Sequence, residues 1–128
     1  MPLNSRRLDK IRDETIGWLR EIADSEGLGS QVEIDPESNA VAGQIESKGR
    51  KIVFELHSSS NRIEPDTIYK MFLRILLTES EKGAIICSSE VSEDVGNLAR
   101  LYGISMIPMR TRSVMERSLK KTFADVFS

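Results

Sequence analysis

Apolar residues recur along this chain with two periods, and the change from one period to the other lays out its elements. Leu8, Ile11, Thr15, Trp18, Leu19 and Ile22 return at intervals of three and four, the stripe of an amphipathic helix over residues 5–25. Ser5 or Asn4 suits its cap, and Gly27 and Gly29 its end. Residues 31–35 alternate and read as a strand with Val32 and Ile34 inward. Residues 36–39 are a turn by composition. Residues 40–46 form a second strand, weakened by Gly43, and 47–49 turn the chain into a third strand over 51–57. Links this short allow only antiparallel pairing, so the three strands form a meander.

The second half alternates strands with helices. Glu64, Pro65 and Asp66 open a helix over 65–78, with Ile68, Met71, Phe72, Ile75 and Leu76 as its buried stripe. Residues 83–88 are a short apolar run of the kind buried on both sheet faces. Ser88 or Ser89 caps a helix over 91–102, which buries Val91, Val95, Leu98, Ala99 and Tyr102 and stops at Gly103. A strand over 104–107 ends at Pro108, and a last helix over 113–126 aligns Met115, Leu119, Phe123 and Val126. Two consecutive strand–helix–strand units imply parallel pairing with right-handed crossovers. The expectation is an α/β fold on a five-stranded mixed sheet, one domain over 1–128 with its core in 31–109.

Composition adds exclusions. With 39% hydrophobic and 30% charged residues, the 128-residue chain has neither the composition of a disordered segment nor that of a membrane protein. No apolar run approaches the length of a membrane span, and the charged N-terminus lacks the apolar stretch of a secretory signal, so a cytoplasmic location is expected. Cys87, the one cysteine, excludes an internal disulfide and reads as a small hydrophobe in a buried strand. Net charge is −2, but the cations cluster: Arg6, Arg7, Lys10 and Arg12 at one end, Arg110, Arg112, Arg117, Lys120 and Lys121 at the other. They read as solvated helix faces or as phosphate contacts, with Arg6, Arg7, Arg110, Arg112, Lys120 and Lys121 the candidates for nucleic acid.

Three segments carry a family resemblance. Residues 51–59, Lys-Ile-Val-Phe-Glu-Leu-His-Ser-Ser, stand where PD-(D/E)xK nucleases have a strand ending in Glu-x-Lys and small polar residues. Residues 83–89, Gly-Ala-Ile-Ile-Cys-Ser-Ser, and the helix after them resemble the family's apolar strand and following helix. Residues 101–107, Leu-Tyr-Gly-Ile-Ser-Met-Ile, resemble its closing strand. The chain thus resembles the restriction-endonuclease-like superfamily, its Mrr-like and Holliday-junction-resolvase-like members above all. The resemblance implies a three-layer α/β/α fold and hydrolysis of DNA with Mg²⁺ held by two carboxylates while a lysine orients water. Glu55 matches the second carboxylate, and His57 stands at the lysine position. No acid occupies 39–42, where the first aspartate belongs. Asp35 or Glu14 would have to supply the further metal ligand, and Lys70 on the next helix the missing cation.

Each residue also has a plainer reading. Glu55 is equally a strand carboxylate paired with a basic side chain, and His57 a structural histidine at a strand end. Ser58, Ser59 and Ser60 are phosphate-contacting hydroxyls or an ordinary connector. Three functions follow: a nuclease-like domain with a degraded site that binds nucleic acid or assembles with a repair or restriction factor; an active Mg²⁺-dependent endonuclease with displaced catalytic residues; or a homodimeric interaction module using its terminal helices.

Overall fold

A computed structural model of the chain describes residues 2–28, 32–35, 41–57, 62–88, 91–109 and 111–127; for 2–9, 11, 12, 32–35 and 41 it describes the backbone alone. The elements run α1 (Pro2–Ser25), β1 (Val32–Asp35), β2 (Val41–Ser47), β3 (Arg50–His57), α2 (Pro65–Thr78), β4 (Lys82–Cys87), α3 (Glu93–Leu101), β5 (Ile104–Pro108) and α4 (Arg112–Phe127). The five strands form one sheet in sequence order, β1-β2-β3-β4-β5. The first three pair antiparallel, and β3, β4 and β5 pair parallel. The fold is α/β, and β3 runs through the middle of the sheet.

Period-two alternation along β3 divides the core in two. Ile52, Phe54 and Leu56 join Leu19 and Ile22 of α1 and Met115, Leu119 and Phe123 of α4. Val53, between them, joins Ile68, Met71 and Ile75 of α2 and Val95 and Ala99 of α3. Helices therefore cover both faces, which keeps β4 apolar throughout: Gly83 to Cys87 are all buried. Lys48 and Gly49, at φ 55° and 76°, make the tight hairpin between β2 and β3. The start of β3 also closes two helices. Arg50 Nη1 donates to the Val126 carbonyl of α4 at 2.8 Å, and Lys51 Nζ to the Thr78 carbonyl of α2 at 3.3 Å. Both cations thus meet the negative end of a helix.

Several expectations need correction. α1 begins at Pro2, ahead of Ser5, because proline fits the first helical position where no N–H is needed. α3 is capped by Ser92, not Ser88 or Ser89: Ser92 Oγ accepts from the Val95 N–H at 3.2 Å, with Glu93 and Asp94 in the first turn. Leu76 of α2 is 57% exposed, since the stripe of Ile68, Met71 and Ile75 turns past it, and Phe72 is half-buried. The inward placement of Val32 and Ile34 lies outside the described side chains.

Candidate functional site

Toward its C-terminal end β3 keeps Leu56 in the core on one face and emerges from it on the other. Val53 is buried, but Glu55 and His57, on the same face, stand at the margin of the layer formed by α2. His57 Nε2 lies 3.1 Å from Glu55 Oε1. Arg74 of α2 points down onto the same carboxylate, its Nη1 3.1 Å from Glu55 Oε2 and 3.5 Å from the Phe54 carbonyl. The Glu55 side chain is only 13% exposed, against 23% for His57 and 32% for Arg74. Burial, the largest influence, pushes the Glu55 carboxyl up, but hydrogen bonds from His57 and Arg74 and their charge outweigh it, and the net shift is downward. An ionised carboxylate only accepts, so the imidazole proton is assigned to Nε2, leaving Nδ1 as the nitrogen that can take a proton or a ligand.

Glu55 and His57 are the two expected site residues that the fold brings together. Lys70 is a solvent-exposed residue paired with Asp66 at 3.0 Å; the cation at Glu55 is Arg74, one helical turn further on. Glu14 is exposed on α1, which packs against the opposite face of the sheet. The register places Ala42 directly opposite Glu55, and Asp35 opposite Ala42. Asp35 is thus about 10 Å from Glu55 along the backbone ladder, two strand spacings away; its side chain, like Ser58 to Ser60, lies outside the described residues. Among the described residues, no three of His, Cys, Asp and Glu gather where they could hold a metal ion. Arg74 was missed because it falls in the apolar run 71–77. As the one charge in that run, it was the signal available.

The basic candidates lie elsewhere. Arg112, Lys120 and Lys121 belong to α4, on the face opposite Glu55. Arg112 pairs with Glu21 at 3.0 Å, and Lys120 with Glu116 at 3.1 Å. Lys121 lines a groove of about 440 Å³ along β5, with Lys82, Arg100, Ser105 and Asp125. Arg6, Arg7 and Arg110 lie outside the described side chains. Burial pushes the Cys87 thiol up, in keeping with a packing role. No helix among the described residues is long and apolar enough to cross a membrane.

No protein-family model matches the chain, and no curated protein or solved structure was found to match it. What the site says about function comes from its own residues.

Proposed function

We propose that the chain is a restriction-endonuclease-like domain that binds its target without hydrolysing it, serving as a nucleic-acid-binding module or as an assembly partner of a repair or restriction factor. The observation that carries this reading is Arg74. Its guanidinium stands 3.1 Å from the Glu55 carboxylate, on the ground a divalent cation would need. Mg²⁺ requires several oxygen ligands in near-octahedral array. Among the described residues one carboxylate has both oxygens engaged and a fixed positive charge beside it, and this donor set does not fit the ion. Two further features support the reading. The antiparallel meander followed by parallel strands, with helices on both faces, is the arrangement that the sequence resemblance implies. Ala42 stands opposite Glu55 in β2, the strand that carries the family's first aspartate.

The test pairs retention with cleavage. Duplex, single-stranded and branched DNA are incubated with Mg²⁺ or Mn²⁺, using wild type and Glu55→Gln. The expected result is retention that falls steeply with salt and no cleavage with either ion. Cleavage by wild type that Glu55→Gln abolishes would overturn the reading. It would instead support an active nuclease, with Asp35, two strands away in the same register, as the acid to test next. Absence of retention at low salt would remove nucleic acid and leave assembly.

A further inference from the structure

Among the described residues, an apolar patch on the surface has no partner within the fold. Tyr69, Leu73, Leu76 and Leu77 of α2 are 48%, 57%, 57% and 80% exposed, and Leu101 at the end of α3 is 81% exposed. The four on α2 follow a helical stripe on the side away from the sheet. They join Leu101 through its neighbour Tyr102, whose ring centroid lies 5.8 Å from Tyr69 and 4.6 Å from Phe72. The result is one face across two helices.

We propose that this face seats a second copy of the chain, with α2 crossing its symmetry mate at a two-fold axis near Leu73. Area is the first argument. At these exposures, with roughly 150–250 Å² available to a large apolar side chain, the five residues bare on the order of 600 Å². Two such faces, fully covered, would bury about 1,200 Å², which reaches the lower bound of stable interfaces. Charge is the second. The charged residues beside the stripe on α2 are themselves paired, Asp66 with Lys70 at 3.0 Å and Arg74 with Glu55 at 3.1 Å, so the face offers little to attract a polyanion or a strongly charged peptide. Geometry is the third. Leu73 is the midpoint of the stripe 69–77, and an antiparallel crossing there places each apolar residue against the partner's stripe and opposes the two helix dipoles. The proposal is independent of what the Glu55 site does.

Sedimentation of the full chain between about 1 and 200 µM tests it, since interfaces of this size hold at micromolar dissociation constants. A reversible dimer is expected, with at least tenfold weaker association in Leu73→Glu combined with Leu77→Glu. Both side chains are exposed in the monomer, so the far-UV circular dichroism of the double variant should stay near wild type, and its melting temperature should match that of wild type diluted to where it is monomeric. Leu73→Cys should form a disulfide-linked dimer when oxidised glutathione is added as the two-electron acceptor, because Cys87 is buried and does not compete. A monomer at every concentration overturns the proposal and leaves the face to a different macromolecule. So does a dimer indifferent to the double substitution.

Discussion

At the scale of single residues, Glu55 is held by what it neutralises. It shields Arg74 inside a layer otherwise made of Ile68, Met71 and Ile75. Removing its charge turns a charge-assisted hydrogen bond into one to a neutral amide oxygen, while the Phe54 carbonyl still accepts from Arg74, which costs about 1 kcal/mol. Glu55→Gln should therefore lower stability by that amount at pH 7 and keep the fold. The pH dependence has a definite sign. A carboxyl whose folded pKa lies below its unfolded value contributes stability above the unfolded pKa and loses it as pH falls through the folded one. The gap between wild type and Glu55→Gln should be widest near neutrality and shrink on acidification, as read by urea unfolding at about pH 7, 5 and 3. A constant gap across that range would mean the hydrogen bonds, and not the charge, do the holding. The sequence showed the Glu55 and His57 half of this group, because residues two apart on a strand share a face. Arg74 lay beyond it: sequence spacing places a residue on a helix but not over a particular strand.

Elements were more legible than contacts, and the reason lies in how each is specified. α2 and β4 have local signatures: proline and acids at a helix start, a continuous apolar run bounded by turn residues. The cap of α3 was misplaced because serines stand at 88, 89 and 92, and composition alone does not rank them. Leu76 was misread as buried because it is as hydrophobic as Ile75 beside it, and hydropathy does not say where the buried stripe ends. Close packing between elements left a further mark that hydropathy does not register. A Cβ on Gly83 would come 2.9 Å from Ile75 Cδ1 and 2.9 Å from Met71 Sδ, and Met71 is fully buried. Gly83 thus sets how closely α2 approaches β4. Gly83→Val should destabilise by about 2–3 kcal/mol in equilibrium unfolding through overpacking. A change within ±0.5 kcal/mol, as at an open surface site, would show that α2 yields to the extra volume.

The whole molecule determines which charges can meet a polyanion. With a net charge of −2, binding to nucleic acid would have to be local. The fold removes part of the basic cluster near the C-terminus from use: α4 lies against α1, so that Arg112 reaches Glu21 and Lys120, at 3.9 Å, Glu26, and Lys120 also pairs with Glu116 one turn back on α4 itself. Surface pairs of this kind add less than about 1 kcal/mol each to stability. Their larger effect is to screen the cations from a phosphate. Arg100 and Lys121 form no ion pair with a described residue and line the β5 groove from two different helices. If the chain binds DNA, these two should hold the phosphates. Arg100→Ala with Lys121→Ala should flatten the dependence of log affinity on log salt by about two, roughly one for each phosphate no longer neutralised. Arg112→Ala with Lys120→Ala should change that slope by less than one, since cations held by carboxylates displace fewer counterions. Equal losses from the two double variants would show that retention follows total charge and that the groove has no special part in it.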